Sequence, residues 1–377
     1  MRLRTIGSAL GTSLVAVTLV GLAGPALADP VTVPGGPWDD GEENVEAIHG
    51  YEQLWDTLRT IERSSGGTID VAPAPLQSNL GRDIPVVTVG DGPVDIMFVA
   101  NQHGNEYVVS EGMLSIVRAL AGNSTQAQAI REALTVTIVP RVNVDGFDGD
   151  VVDSQGLTTP WRQNYDPTCS AFCSFYQGGR GYDINRYHSY TESAYDHSYQ
   201  PGLDANNPVD EAVAMRLLWD ERQPQVVVDF HHQGSYVDED GRLITGSIMW
   251  PNATEEAARL GIADEFASTI TTSKRAVSVM LTSLEDYGWA NITRYPSTTT
   301  PGIARNAYGL LGSASVLFEV RGGIGQKSVG HLAKHAEVAG MAVLTAAAEG
   351  SLWTASTAPA DDIRERGDFV TNPHEHE

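Results

Sequence analysis

A histidine and a glutamate three residues apart can grip one divalent ion, because that spacing brings both side chains to one face of a turn or helix. The 377-residue chain has 10 histidines and 48 acidic residues, so about one such pair is expected from composition alone. Three occur: His49/Glu52, His103/Glu106 and His374/Glu377. Spacing does not choose among them, but the segments that carry them do. His103 and Glu106 lie in FVANQHGNE, directly after VDIMFVA, an apolar run of strand length. His231 repeats that placement after QVVVDF. Two imidazoles and one carboxylate from two strand ends suit a catalytic zinc ion, with a fourth position open for water. His49 and Glu52 sit instead at the margin of an amphipathic stretch, where a solvated pair is the ordinary reading. His374 and Glu377 fall in a polar tail.

Hydrolysis at zinc also needs a base. The ion lowers the pKa of its water to about 7, and a nearby carboxylate then takes the proton. Glu319, in SASVLFEVRGG, is the candidate: an acid inside an otherwise apolar strand, where burial is costly unless something pairs with it. The alternative is an edge strand with Glu319 turned to solvent or paired near Arg321. No G-x-S-x-G motif is present, which disfavours a serine hydrolase.

The elements that must position these groups alternate along the chain. IPVVTVG, VDIMFVA, ALTVTIVP, QVVVDF and SASVLFEV read as strands, and NEYVVSEGMLSIVRAL and DEAVAMRLLWDE as helices. Another helix carries its apolar stripe on Ile48, Leu54, Trp55, Leu58 and Ile61. Continuous apolar strands between helices indicate an α/β domain whose sheet is buried on both faces. Ligands in such sheets bind beyond the carboxyl ends of the strands, where His103 and His231 fall. Glu106 is expected in the first turn of the following helix, where the helix dipole favours an acid. Residues 145–208 are polar, aromatic and glycine-rich with little periodicity, and an insertion of that kind is more often functional than idle.

Boundaries follow from composition. Residues 1–28 have a basic start, a short apolar core and the small-x-small ending Ala26-Leu27-Ala28, the pattern of a signal peptide cleaved after Ala28. A secreted, extracellular protein is the expectation. Residues 29–44 read as a loose extension, 45–352 as one catalytic domain, and 353–377 as a disordered tail. The formal net charge of −24 grows by two negative units when Arg2 and Arg4 are removed, and makes nucleic acid and anionic membranes poor partners. Cys169 and Cys173 are the chain's two cysteines, and in an oxidising compartment they read as a disulfide closing a small loop.

The ordered set QSNLGRDIPVVTVG, HGNE, PRVNVDG, WRQN, GYDINR, VDFHHQG and LFEV resembles the carboxypeptidase A-like zinc metallocarboxypeptidases, from about residue 45 to 345. The resemblance implies a mixed, mostly parallel eight-stranded sheet flanked by helices, and one Zn²⁺ per chain on His103, Glu106 and His231. It implies that Glu319 is the general base, and that Arg162 polarises the scissile carbonyl. Asn185 and Arg186 would hold the substrate's terminal carboxylate, and Asp183 would orient the first zinc histidine. His232 stands where many relatives have serine, and the strand register favours its neighbour His231 as ligand. The family's substrate tyrosine has no clear counterpart: Tyr308 and Tyr295 both lie in the right region, with Tyr308 preferred. Arg305 falls where relatives line the pocket for the terminal side chain, and pointing inward it would favour an acidic or polar residue. The expected function is a secreted zinc exopeptidase that hydrolyses the last peptide bond of peptides. The rivals are an amidohydrolase of the same fold, acting on cell-wall peptides or N-acyl amino acids, and a zinc-binding module without catalysis.

Overall fold

The computed structural model describes residues 46–148, 160–166, 181–197, 206–322 and 328–370. The signal segment, the extension through residue 44, Cys169, Cys173, His374 and Glu377 lie outside them. In chain order the strands are β1 (Ile69–Pro73), β2 (Pro85–Val89), β3 (Val94–Ala100), β4 (Leu134–Val139), β5 (Val226–Gln233), β6 (Tyr236–Asp238), β7 (Gly246–Met249), β8 (Ile292–Arg294), β9 (Ala314–Arg321) and β10 (Arg366–Phe369). The helices are α1 (Tyr51–Ser64), α2 (Val108–Ala121), α3 (Thr125–Ala133), α4 (Val144–Phe147), α5 (Asp210–Arg222), α6 (Thr254–Leu260), α7 (Ala263–Tyr287), α8 (Ala304–Leu310), α9 (Val329–Ala348) and α10 (Ala358–Asp361).

Eight strands form one sheet in the order β1-β2-β4-β3-β5-β9-β7-β8. Strands β4, β3, β5 and β9 run parallel, as do β7 and β8. Antiparallel pairings join β1 to β2, β2 to β4 and β7 to β9. The result is a mixed, mostly parallel sheet in a single α/β domain.

Both faces are covered, which is why the central strands are apolar throughout. On one face Ile96, Phe98, Val228, Phe230, Val316 and Phe318 meet α1, α2, α7 and α9. The rings of Phe98, Phe230 and Phe318 pack edge to face, 5.4 and 5.9 Å between centroids. On the other, Met97, Val99, Val139 and Val227 meet α5 and α8. Burying one such side chain contributes about 1.5–3 kcal/mol, more than the roughly 1 kcal/mol span of strand propensity. Burial therefore fixes which residues are strand, and two-residue alternation then decides the face each side chain takes.

Two segments differ from expectation. His49 precedes α1 and pairs with Glu111 of α2, 2.9 Å away, rather than with Glu52. Residues 353–370, expected to be loose, are folded onto the domain. Ala360 of α10 is buried and donates its N–H to Ser278 of α7, 3.2 Å away, while Lys274 reaches Asp361 at 2.6 Å. Strand β10 then pairs with β6. These attachments are a few scattered apolar residues, polar contacts and a short strand pairing, which leave no apolar period in the sequence.

Helices α2 and α9 approach each other closely at Gly112. A β-carbon there would lie 2.7 Å from Ala336 Cβ and 2.9 Å from the Ala333 carbonyl oxygen, neither of which can rotate away. Gly112→Ala is expected to destabilise the fold by about 1–3 kcal/mol through overpacking, although alanine is the better helix former by about 1 kcal/mol. Urea unfolding of the two proteins checks this, and an unchanged or higher midpoint would refute it.

Candidate active site

Because β3, β5 and β9 are parallel, their carboxyl ends reach one edge of the sheet together. The β5–β9 register sets His231 directly beside Glu319. His103 needs a sharper device. After β3 the chain turns at Asn101, whose φ of 55° lies in the left-handed region that asparagine tolerates better than most residues. The Asn101 side chain pins the turn: Nδ2 donates to the His103 carbonyl (2.5 Å), and Oδ1 accepts from Arg141 Nε (3.1 Å). The Glu106 N–H closes back on the His103 carbonyl at 2.9 Å. Glu106 therefore stands in a turn just ahead of α2, not in the first helical turn that the sequence suggested. Gly104 lets a second strip of backbone approach. A β-carbon there would lie 2.2 Å from Gly146 and 2.4 Å from the Trp161 carbonyl, and the Gly104 N–H donates to the Arg162 carbonyl at 3.2 Å. That contact is what carries Arg162 to His103.

Three donor atoms converge. Glu106 Oε1 lies 2.8 Å from His103 Nδ1, Glu106 Oε2 lies 2.7 Å from His231 Nδ1, and the two Nδ1 atoms are 3.1 Å apart. Behind the rings, His103 Nε2 meets Asp183 Oδ1 at 3.0 Å and His231 Nε2 meets Asp229 Oδ2 at 2.8 Å. In the tautomer that leaves Nδ1 free for a metal ion, each Nε2–H donates to its backing carboxylate, so Asp183 and Asp229 fix the orientation a ligand ring needs. Zinc–nitrogen distances of about 2.0–2.1 Å in a tetrahedral set put donor atoms about 3.3 Å apart, and this cluster is nearly that size. His103, Glu106 and His231 are all buried. Burial opposes charge on Glu106, yet His103 and His231 hold its carboxyl well below the usual range. Burial likewise opposes charge on Asp183, and His103 and Arg162 overcome it. For His231, Asp229 and Glu106 outweigh burial and hold the imidazole well above its usual value. Three carboxylates around two imidazoles concentrate negative potential where a cation belongs.

Glu319 is different in kind. It is buried on a strand flanked by β5 and β7, which removes the edge-strand alternative. Its Oε2 has no hydrogen-bond partner among the described residues. Burial, then the Glu106 carboxylate, push its pKa up to about 8, so near neutral pH it can both take and return a proton.

The remaining candidates divide. Arg162 donates from Nη1 to Glu106 Oε1 (2.9 Å) and from Nη2 to Asp183 Oδ2 (3.2 Å). Arg186 donates from Nη1 to the Asn185 carbonyl at 2.7 Å and stands 3.9 Å from Asp183. Asn185, expected to grip substrate, is engaged with the protein. Its Oδ1 accepts the Ala304 N–H at 2.7 Å, and its Nδ2 lies 3.1 Å from His231 Nε2 and 3.4 Å from Asp229 Oδ2. His232 points away from the cluster: its Nε2 accepts the Val108 N–H at 2.8 Å, while its backbone N–H donates to Glu106 at 3.1 Å. Tyr308 is fully buried beneath the site with its hydroxyl 3.3 Å from His188, so the preference for it over Tyr295 is overturned. Tyr295 is the one beside the acid: Glu319, ahead of burial, raises its phenol pKa above the ordinary range. Arg305 is buried on α8, with Nη2 donating to the Thr298 carbonyl at 3.3 Å and Nε unpartnered among the described residues. Burial lowers its pKa to about 10, and Tyr295, Glu319, Asp229 and Arg186 are the charges it feels.

A sequence profile described as zinc carboxypeptidase matches residues 76–327. The chain belongs to the zinc carboxypeptidase family. Carboxypeptidase A from Helicoverpa armigera shares its fold with a TM-score of 0.55 and 17% identity, over 81% of this chain and 74% of that one. Bovine thrombin-activatable fibrinolysis inhibitor, solved with tick carboxypeptidase inhibitor, gives a TM-score of 0.55 and 14% identity over 80% and 98%. A metallo-carboxypeptidase from Burkholderia cenocepacia gives 0.50 and 16% over 80% and 68%. No curated protein matches the chain.

In this member of the zinc carboxypeptidase family, two supports of the site were not read from the sequence. Asp229, which backs His231, stands two residues before it on the same strand face, and an acid inside VVVDF was the available signal. Glu211 is buried on α5 and ties two motifs together, accepting from the Asn79 N–H (3.1 Å) and from Asn164 Nδ2 (2.8 Å). Burial pushes its pKa up to about 8. Between the ordinary carboxyl value near 4.5 and about 8, the folded chain then binds more protons than the unfolded one, and stability falls as pH rises. Glu211→Gln is expected to remove that component and gain stability at pH 8 relative to pH 5, by on the order of 1–3 kcal/mol. Urea unfolding at the two pH values tests it. Equal shifts at both would show that Glu211 does not titrate with folding.

Proposed function

We propose that the protein is a secreted zinc-dependent exopeptidase that hydrolyses the carboxyl-terminal peptide bond of peptides. The observation that carries this reading is the pairing of a convergent His103–Glu106–His231 set with a buried, unpartnered acid, Glu319, in register with His231. His103, Glu106 and His231 would hold zinc, which when bound supplies Lewis acidity and a water made nucleophilic near neutral pH. Glu319 takes one proton from the attacking water as its oxygen bonds to the scissile carbonyl carbon. The same carboxyl hands that proton to the departing nitrogen as the C–N bond breaks. Arg162 already lies against the ligand carboxylate, and aims a fixed guanidinium at the negative charge that grows on the carbonyl oxygen. Arg186 offers a planar, two-pronged donor to the terminal carboxylate, while Asn185 braces Asp229 and α8 behind it. Arg305, buried and short of acceptors, favours a terminal residue that brings a carboxylate of its own. The signal-like residues 1–28 support export.

Glu319→Gln is expected to retain zinc, about one ion per chain by metal analysis, and to lose turnover by about 10²–10⁴-fold. Near-normal turnover in that variant would remove Glu319 as the base.

Mass spectrometry of a mixed peptide digest tests the reaction itself. The expected pattern is stepwise loss of residues from carboxyl ends, with glutamate-ended peptides cut about tenfold faster than phenylalanine-ended ones. Internal cuts would overturn the exopeptidase reading. Preference for phenylalanine or leucine ends would discard Arg305 as the selector, and cleavage restricted to cell-wall peptides would favour the amidohydrolase. No hydrolysis with zinc bound would leave the binding module.

A further inference from the structure

Residues 364–370 lie beyond the stretch matched to the family, yet they reach the rim of the site. They are held at both ends. Arg364 donates to Asp238 Oδ2 (2.8 Å) and to Asn291 Oδ1 (2.9 Å), and its carbonyl accepts the Arg294 N–H at 2.7 Å, extending the edge of β8. Phe369 packs edge-on against Tyr236 with centroids 5.3 Å apart, and it occupies the space that a β-carbon on Gly234 would need. Between these anchors stands Arg366. Its Nη1 donates to Gln233 Oε1 at 2.7 Å, at the end of the strand that carries His231. Its guanidinium lies 3.8 Å from the ring centre of Tyr236 and 4.6 Å from that of Tyr295.

We propose that Arg366 is a positioning residue that clamps Tyr295 at the cleft beside Glu319, so that the phenol is presented to substrate before substrate arrives. The proposal rests on reading Glu319 as the base of a peptidase. A cation over an aromatic face is attracted by the ring quadrupole, and here one guanidinium faces two rings while a hydrogen bond to Gln233 fixes its third side. The tyrosine's backbone is fixed as well, its N–H donating to the Ile248 carbonyl at 3.0 Å. Glu319, Arg366 and Arg305 are among the charges that the phenol feels, which places the clamp, the ring and the acid in one neighbourhood.

The experiment compares wild type, Arg366→Ala, Arg366→Lys, Tyr295→Phe and the Arg366→Ala/Tyr295→Phe double variant. Each is assayed for kcat and KM on a peptide and for thermal stability. It also follows the Tyr295 resonance by ¹⁹F NMR in protein labelled with 3-fluorotyrosine, assigned by its absence from Tyr295→Phe. Expected are a loss of about tenfold in kcat/KM for Arg366→Ala, partial recovery with lysine, no further loss when Tyr295 is already phenylalanine, and a shifted Tyr295 line in Arg366→Ala. If the alanine variant does not fold, Arg366→Gln, which keeps a donor for Gln233 but no cation, carries the same comparison. Losses that add in the double variant, or a Tyr295 line that stays in place, would overturn the proposal. Should wild type cut no peptide, the function fails on that result alone, and the NMR arm still decides the clamp.

Discussion

Two imidazole nitrogens held 3.1 Å apart against one shared carboxylate are an arrangement suited to a cation. Each ring is driven into that pose from behind, by Asp183 on one side and Asp229 on the other, and Glu106 bridges them in front. Asp229 and Glu106 hold the His231 imidazole well above its usual value against the cost of burial. A divalent ion bound there would displace that proton, so binding at this centre would be coupled to pH. The left-handed turn at Asn101, the bare backbone at Gly104 and the parallel ends of β3 and β5 bring those five side chains together.

The same crowding separates the roles of chemically identical groups. Glu106 and Asp183 touch histidines and arginine and stay ionised, whereas Glu319 makes no ion pair among the described residues and is raised by burial and then by Glu106. Environment alone thus separates an ionised carboxylate from one poised to exchange a proton near neutral pH, the divergence that acid–base chemistry requires. Glu211 is raised in the same way by burial, but it is tied to Asn79 and Asn164 rather than open to a reacting group. A perturbed acid alone would not have distinguished the two. The strand register that sets Glu319 beside His231 does.

Legibility in the sequence follows the same line between periodic burial and local geometry. Strands β2, β3, β4, β5 and β9 could be read because both of their faces are covered and every residue must be apolar or paired. Strands β1, β7 and β8 could not. The first alternates over five residues, and the other two span four and three with polar members. His103 and His231 were legible as interruptions at strand ends, and Glu319 as an acid in an apolar run. The Tyr295/Tyr308 choice failed because both tyrosines fall in the same region of sequence, while only Tyr308, on α8, is buried in the core with residues of α5. The partners of Asn185 were not legible, because a side chain that could face substrate is equally able to face His231, and spacing carries no information about rotamer. The fold of residues 353–370 was invisible for a related reason. Its attachments are scattered apolar residues, single polar contacts and arginines on carboxylates and rings, none of which has a period.

Those arginines bear on how an acidic protein can favour carboxylate ligands. The chain's formal charge of −24 repels anions at long range, but charges more than about 8 Å apart are largely screened at physiological salt. Inside the cleft the nearby fixed charges decide. There Arg162, Arg186, Arg305 and Arg366 are held by Asp183, Asn185, Thr298 and Gln233. Arg305 and Arg186 are close enough to disfavour each other's charge, an interaction that a ligand carboxylate between them would turn into attraction. On the proposed reading, a peptide end carrying two carboxylates would meet both guanidiniums, and an amidated end would lack the terminal partner. Nearby fixed charges, and not the sign of the whole surface, would then set that preference.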